Sequence, residues 1–202
     1  MADQRKRRGM RLTIITTKFG DSGETYISGG FVLKKNHPRV KAYGTVDELA
    51  SFVGYTISVM REGDEKMSEF TDILEKIQNH LFILGGDLAR LLKPSDEITE
   101  THRRVTEKMV NWVEELEKKY IKELEPLEDF ILPGGSKESS LFHILRTVSR
   151  RCEREIVELS QIEKVNPKCI KYINRLSDLF FILARVINKR KGVGEKIVNW
   201  EQ

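Results

Sequence analysis

The sequence predicts an all-α fold, an up-and-down five-helix bundle that follows an irregular, glycine-rich N-terminal segment. Apolar side chains recur at spacings of three and four through five successive segments after residue 38, which is the period of one face of an α-helix. Prolines or glycines separate these segments, and short connections favour antiparallel neighbours. A chain of 202 residues with 39% hydrophobic content can bury one core, so we expect a single helical domain over residues 12–202.

The N-terminal segment has no helical period. A short apolar run, LTIIT at 12–16, leads into TKFGDSGETYISGG at 17–30. Glycines in this stretch permit positive φ and let backbone N–H groups point at anionic oxygens. The GDSGET sequence is therefore a weak signal for a polyphosphate, while Gly29 and Gly30 could equally form a tight turn.

The five helices are expected at about residues 38–61, 65–92, 99–124, 137–161 and 168–190. The start of the first helix has two readings, because Pro38 suits a first-turn position whereas Thr45 and Glu48 fit a capping box. We favour the earlier start. Pro94 and Pro126 are expected to end the second and third helices.

Residues 1–11 have a formal charge of +4, which is the whole net charge of the chain. We expect these residues to form a basic, solvated and disordered tail, with a weak contact to nucleic acid or another polyanion as the alternative. The formal neutrality of the remainder argues against nucleic acid as a partner of the folded domain.

Hydropathy and cysteine usage indicate the compartment. No apolar run reaches the ~18 residues of a membrane span, and the N-terminus lacks the apolar stretch of a secretory signal. Cys152 and Cys169 form no CxxC motif, which suits a reducing environment. We therefore expect a cytoplasmic protein that makes no membrane contact.

The fourth helix has a core stripe and an opposite polar sector. The core stripe comprises Leu141, Leu145, Val148, Cys152, Ile156 and Leu159. At 100° per residue, His143, Arg146, Arg150 and Glu153 fall within about 80° of one another. Arginines at i and i+4 repel each other, so this sector requires an anion, either carboxylates of a neighbouring helix or a phosphate.

Two common classes of site are absent from the sequence. There is no GxxxxGK[ST] motif, which argues against a Walker-type nucleotide hydrolase. No histidine follows a glutamate by three residues, so the ligand pattern of a ferritin-like di-iron bundle is missing.

Six segments, in order, together resemble the PduO-type ATP:cob(I)alamin adenosyltransferases. They are TKFGDSGET, HPRVKAYGTVDELAS, IQNHLFILGGDLA, FILPGGS, HILRTVSRRCER and YINRLSDLFFILAR. Each one is a modest match alone, but their order spans most of the chain. The resemblance implies transfer of the 5′-deoxyadenosyl group of ATP to the cobalt of cob(I)alamin or a related corrinoid, with release of triphosphate.

The resemblance also implies a homotrimer with its sites between adjacent subunits, and the groups that would fill them. ATP and cobalamin would bind there, with Mg²⁺ held through the ATP phosphates rather than by the protein. A reductase and an adenosylcobalamin-dependent enzyme are possible further partners.

Residue roles follow by motif match. Arg146 would be a catalytic arginine, Asp47 would pair with Arg150 across the subunit boundary, and Phe130 would close the lower face of the corrin. The residues implied to hold ATP are Thr17, Lys18, Phe19, Gly20, Asp21, Lys35, Arg150, Arg151, Glu153, Arg154 and Asn174.

This sequence departs from the family pattern at Phe19, where threonine is usual, and at Val32, where arginine is common. Both lie in the segment implied to bind phosphates. Two rival hypotheses stay open: a nucleotide-sensing or cofactor-escort protein that keeps the fold without turnover, and a helical nucleic-acid-binding protein that uses the basic tail.

Overall fold

The computed structural model describes residue 16 and residues 18–62, 67–101 and 103–201. It contains the five predicted helices. In chain order they are α1 (Pro38–Arg61), α2 (Ser68–Leu88), α3 (Glu107–Tyr120), α4 (Lys137–Ile162) and α5 (Pro167–Arg190). The all-α bundle predicted from the sequence is confirmed. The predicted tail at 1–11 lies outside the described residues.

The helices pack around one apolar core. Helix α1 lies between α2 and α4, helix α4 also packs against α5, and α3 packs on the other side of α5. The predicted stripe of α4 is fully or almost fully buried, from Leu141 to Leu159. The outward sector of α4 is thereby left free of the core.

Three helices begin at a residue whose side chain caps the first turn. His37 accepts the backbone N–H of Arg39 through Nδ1 at 3.1 Å, with Pro38 at the first position. The earlier of the two predicted starts of α1 is therefore correct. Ser136 caps α4 and Asn166 caps α5 in the same way, because a side-chain oxygen satisfies an N–H that has no partner within the helix.

A small β-hairpin precedes the bundle, where the sequence predicted only an irregular loop. Strand β1 (Glu24–Tyr26) pairs antiparallel with β2 (Val32–Lys34), and a 3₁₀ helix at Phe19–Ser22 comes before it. Gly29 and Gly30 have φ of 91° and 80°, so they form the tight turn that was one of their two predicted readings. Three-residue strands are too short to give an alternating pattern that a sequence could reveal.

The predicted bounds of α2 and α3 were too wide. Helix α2 ends at Leu88 rather than near residue 92, and α3 starts at Glu107 rather than near residue 99. The cause is tertiary: buried Arg39 donates from Nη1 to the carbonyls of Leu88 and Arg90. Asp87 accepts the backbone N–H of Val105 at 3.0 Å, which pins the connection between the two helices in a non-helical path.

No helix in the described part of the chain is both long enough and apolar enough to cross a membrane.

Candidate functional site

A cavity lies at one end of the bundle, between α4, α5 and the loop before α4. Its volume is about 640 Å³. Three of the predicted site residues line it: Phe130, Arg146 and Arg150. Its remaining lining residues are Leu127, Glu128, Asp129, Ile131, Pro133, His143, Ser177, Asp178 and Phe181.

The loop wall of the cavity carries an exposed aromatic pair. Phe130 is 73% exposed and its ring lies 6.2 Å from that of Trp200, edge to face. The C-terminal segment holds Trp200 there, because Val198 N–H donates to the Phe130 carbonyl at 2.9 Å. Asp129 accepts from Trp200 Nε1 at 3.1 Å. A large exposed apolar surface beside a cavity is typical of a ligand-binding wall, and it excludes core packing as the role of Phe130.

Asn188 fixes the PGGS loop that joins this wall to α4. Its Oδ1 accepts Ser136 N–H and its Nδ2 donates to the Gly134 carbonyl, both at 2.9 Å. Asn188 is 3% exposed. The loop is thus bound to the end of α5 and sets the position of Phe130 relative to α4.

The α4 wall of the cavity is cationic. Arg146 lies over the Phe181 ring, 5.9 Å from its centre, and its Nε is buried without a partner among the described residues. Burial, and then the charge of Arg150, lower the pKa of Arg146. Within the described ranges, neither arginine has a carboxylate within 4 Å. The neighbouring helices of this chain, which were one of the two predicted sources of an anion, therefore supply none.

The α5 wall is polar and acidic. Asp178 and Ser177 line it beside Phe181. Behind it on α3, burial and then the Asp178 charge raise the pKa of Glu117 to about 7. The cavity therefore has positive charge on its α4 side and negative charge on its α5 and loop sides, which would orient a ligand that carries an anionic end.

The predicted phosphate-binding residues form a second group, on the 3₁₀ helix and hairpin. Lys18 adopts a left-handed conformation with φ of 60°, and Asp21 N–H donates to the Lys18 carbonyl at 3.2 Å. The Lys35 side chain folds back onto Gly20, where an added Cβ would lie 2.8 Å from its Nζ. Lys18, Gly20, Asp21 and Lys35 are thus together, whereas Thr17 lies outside the described residues.

Phe19 has a packing role that explains its departure from the family pattern. Its ring stacks on Tyr26 with centres 4.2 Å apart, and Tyr26 pairs with Val32 across the hairpin. The two unusual residues therefore form one apolar patch with Tyr26. The Phe19 side chain has no donor, so the predicted contact with a phosphate would have to come from its backbone N–H.

The other predicted residues of α4 point in different directions. Arg151 forms an ion pair with Glu48 of α1 at 2.6 Å. Glu153 accepts from Asn174 Nδ2 at 3.0 Å, so these two predicted nucleotide contacts lie side by side between α4 and α5. Arg154 is exposed and donates only to the Arg150 carbonyl among the described residues.

Asp47 does not contact Arg150 within this chain. It lines a separate groove of about 370 Å³ between α1 and α2, beside Phe82, which is 87% exposed. Lys18 and Lys35 line neither the cationic cavity nor this groove, and it is Glu48, the neighbour of Asp47, that pairs with α4, through Arg151.

Motif matching assigned no role to several residues that the cavity brings together. His143 was recognised only as a member of the polar sector, and Phe181 and Asp178 only as parts of a motif. Their spacing from Asn174 on α5, at four and seven residues, places them on one face and could have identified Asp178 and Phe181. Nothing in the sequence indicated a role for Trp200, because backbone pairing between distant segments brings it to Phe130.

No group of three or more His, Cys, Asp or Glu side chains in the described part of the chain is arranged to hold a metal ion. The donor atoms around the cavity and the lysine loop suit an anionic organic ligand rather than a protein-bound cation.

Known proteins that are similar to this chain come from one family. The sequence model of a family described as cobalamin adenosyltransferase matches residues 15–187. The corrinoid adenosyltransferase of Bacillus subtilis (strain 168) is 42% identical over 179 residues, which cover 89% of each chain. A human corrinoid adenosyltransferase is 38% identical over 190 residues, covering 93% of this chain and 74% of the human one.

Solved structures show the same likeness. A variant of a PduO-type ATP:corrinoid adenosyltransferase from Lactobacillus reuteri, complexed with cobalamin and ATP, superposes with a TM-score of 0.82 at 38% identity. The match covers 91% of this chain and 98% of that one. A second variant, complexed with ATP, gives a TM-score of 0.81 at 39% identity, over 92% of this chain and 100% of that one.

Proposed function

The chain belongs to the cobalamin adenosyltransferase family, and we propose that it transfers the 5′-deoxyadenosyl group of ATP to the cobalt of cob(I)alamin or a related corrinoid. The observation that carries the proposal is the cavity, in which an exposed aromatic wall at Phe130 faces two arginines without carboxylate partners in the described residues. A flat apolar macrocycle and a polyanion are the two ligands that such walls suit.

The reaction needs placement and charge rather than a base. The electron pair of Co(I) attacks C5′ of ATP, the cobalt–carbon bond forms, the C5′–oxygen bond breaks, and triphosphate leaves with the bonding pair. The cofactor-like corrinoid supplies the nucleophile, so the protein contributes geometry and electrostatics. Alignment of the two reactants can lower the barrier by several kcal/mol.

Charge accumulates on the leaving triphosphate, and cations must stabilise it. Arg146 and Arg150 would act from the cavity, and Lys18 and Lys35 from the loop. Mg²⁺ would be held by the phosphate oxygens and would neutralise part of their charge. Glu153 and Asn174 would contact the nucleotide beside Arg150, while Arg151 would reach it only if it left Glu48.

Phe130 would control the coordination of the cobalt. Reduction to Co(I) is hindered while water or an axial base donates to the metal, and an apolar ring beneath the corrin would exclude that ligand. Phe130→Ala is then expected to impair an assay that starts from Co(II) and a reductant more than one that starts from prepared Co(I). Equal losses in the two assays would limit Phe130 to packing against the macrocycle.

We also propose the homotrimer, with each site completed by a neighbouring subunit. Lys18 and Lys35 line neither the arginine cavity nor the Asp47 groove, and association would bring such groups from different copies together. Asp47 would then pair with Arg150 of the adjacent subunit. The exposed Phe82 beside Asp47 is an apolar surface that such an interface would cover.

The activity is tested by an anaerobic spectral assay with reduced cobalamin, ATP and Mg²⁺. We expect the Co(I) absorption to be replaced by that of adenosylcobalamin, with one triphosphate released per turnover. Binding of both substrates without that spectral change would refute the transferase and favour the nucleotide-sensing or escort protein.

Mixing inactive protomers tests the shared site. We would combine a Lys18→Ala variant with an Arg150→Ala variant by refolding or subunit exchange. If loop and cavity come from different subunits, random mixing restores intact sites at about a quarter of the wild-type number. Activity no higher than that of the separate variants would show that both groups act within one chain.

We place the enzyme in the cytoplasm, where its two buried free cysteines would stay reduced. A reductase that supplies the electron to Co(II), and an enzyme that consumes the adenosylated product, are its proposed partners there.

A further inference from the structure

His143 is a buried histidine in the cavity wall to which the proposed reaction assigns no role. It is 5% exposed and lies beside Arg146 and Phe181. Its Nδ1 is fully enclosed and has no hydrogen-bond partner in the described part of the chain. A buried ring with one unsatisfied nitrogen destabilises a fold, and proteins carry such costs mainly at functional sites. His143 lines the cavity, so the cavity is where its role is to be sought.

The environment of the ring defines what it can offer to a ligand. The ring packs edge-on against Phe181 with centres 6.1 Å apart. Burial, and then the charge of Arg146, lower the pKa of His143 more than Glu195 raises it, so the ring is neutral at neutral pH.

The tautomer follows from the enclosed nitrogen. A buried lone pair without a partner costs less than a buried N–H without one, which favours the lone pair on Nδ1 and the proton on Nε2. Because Nδ1 is enclosed and the residue lines the cavity, Nε2 is the ring nitrogen left to face a ligand there. His143 therefore presents one neutral N–H donor to the cavity it lines.

We propose that His143 is a specificity-determining residue for the corrinoid, whose Nε2–H donates a hydrogen bond to the carbonyl oxygen of a carboxamide at the edge of the macrocycle. This inference rests on the proposed function. The carboxamide side chains of a corrinoid are neutral acceptors that rim a flat apolar ring. His143 shares the cavity with two apolar surfaces, Phe181 on the α5 wall and Phe130 on the loop wall.

The nucleotide is the less suitable ligand for this donor. Its triphosphate is an anion, for which the adjacent Arg146 and Arg150 provide charge-assisted bonds that a neutral imidazole cannot match. A neutral donor adds most where the acceptor is also neutral and the surroundings are apolar.

The test separates binding from stability. His143→Leu removes the donor with little change in volume, and we expect the KM for cob(I)alamin to rise about tenfold while the KM for ATP changes less than about twofold. The melting temperature without ligands should stay equal or rise, because the variant also removes the unpartnered Nδ1. His143→Gln, which restores an N–H donor, should recover most of the corrinoid affinity.

His80 provides the matched control. It is a second partly buried histidine, but it lies on α2 and bonds the Tyr172 hydroxyl at 3.2 Å, away from the cavity. His80→Leu should lower the melting temperature and leave both KM values unchanged. A corrinoid KM within twofold of wild type in His143→Leu, or no rescue by glutamine, would overturn the role of His143 and leave the proposed function intact. Failure of the wild-type enzyme to adenosylate cobalamin would overturn both the proposed function and the role of His143.

Discussion

Two arginines one turn apart on α4 define the site at the scale of single residues. Arg146 is half-buried against Phe181, while Arg150 is exposed at the cavity rim. Like charges at i and i+4 destabilise a helix by a few tenths of a kcal/mol. Burial, and after it the charge of Arg150, lower the pKa of Arg146. The two arginines lie close together and have no carboxylate partner in the described ranges, which favours an anionic ligand.

Replacement of Arg150 separates function from folding. Arg150→Ala is expected to lower kcat by about 100-fold or more, because it removes the cation that we propose stabilises the leaving triphosphate. Its free energy of unfolding should change by less than about 0.5 kcal/mol, since the side chain is exposed and unpaired in the described chain. Steady-state kinetics and urea unfolding measure the two effects, with exposed Arg61→Ala as the control. A kcat near that of wild type would contradict the role.

A close approach at Gly20 tests the position of Lys35. The Cβ of Gly20→Ala would lie 2.8 Å from Lys35 Nζ, so the ammonium must move away from the loop backbone. We expect the KM for ATP to rise about fivefold, equivalent to about 1 kcal/mol, with the corrinoid KM unchanged. Gly86→Ala is the control, because its added Cβ meets nothing within 4 Å. An unchanged ATP affinity would exclude Lys35 from the phosphate site.

At the scale of elements, local signals in the sequence predicted the helices well and their connections poorly. Pro38 and Pro167 mark the starts of α1 and α5, because a cap and a proline act within one turn. The start of α3 could not be predicted, since Asp87, eighteen residues away, holds Val105 outside the helix. The same limit applies to the site: spacing on α4 grouped Arg146 with Arg150, but only the fold brings Phe130 to them.

The contact between α2, α3 and α5 should make stability depend on pH. Burial, and then the Lys76 charge, lower the pKa of His80 from 6.5 to about 4, and its ring packs against Trp112 and Tyr172. The unfolded chain binds the proton first as pH falls. The contribution of His80 to stability is therefore complete above pH 6.5 and declines between pH 6.5 and about 4.

We expect His80 to account for about 2 kcal/mol of this loss after its partial exposure is discounted. His143 has a lowered pKa as well, so the comparison must be between variants. Urea unfolding from pH 7.5 to 4 should show a shallower decline for His80→Asn, which keeps a polar partner for Tyr172, than for wild type. Parallel declines in the two proteins would contradict the assignment.

At the scale of the whole molecule, the C-terminal segment at 195–200 supports the loop wall of the cavity. Leu132 N–H donates to the Lys196 carbonyl at 2.7 Å, and Val198 pairs with Phe130, while buried Arg185 bonds Glu195 at 2.9 Å. Helix α5 thus carries the C-terminal segment back to the loop before α4. This closure depends on backbone pairing between distant segments, which is why the aromatic pair could not be inferred from the residues alone.

Trp200→Ala tests whether this closure serves the corrinoid site. Trp200 is 69% exposed, so its loss should change the melting temperature by less than about 4 °C. Without its ring and its bond to Asp129, Phe130 loses the neighbour that orients it. We therefore expect a rise in the corrinoid KM of about fivefold, and a larger loss in the assay started from Co(II) than in one started from Co(I).

Ile197→Ala is the matched control for this variant, because Ile197 is 62% exposed in the same segment and does not line the cavity. If the two variants lose activity equally, the C-terminal segment acts only as a cover for the end of the bundle. If only Trp200→Ala raises the corrinoid KM, the aromatic pair is one wall of the substrate site, and the C-terminal segment serves the proposed reaction by holding Phe130 in place.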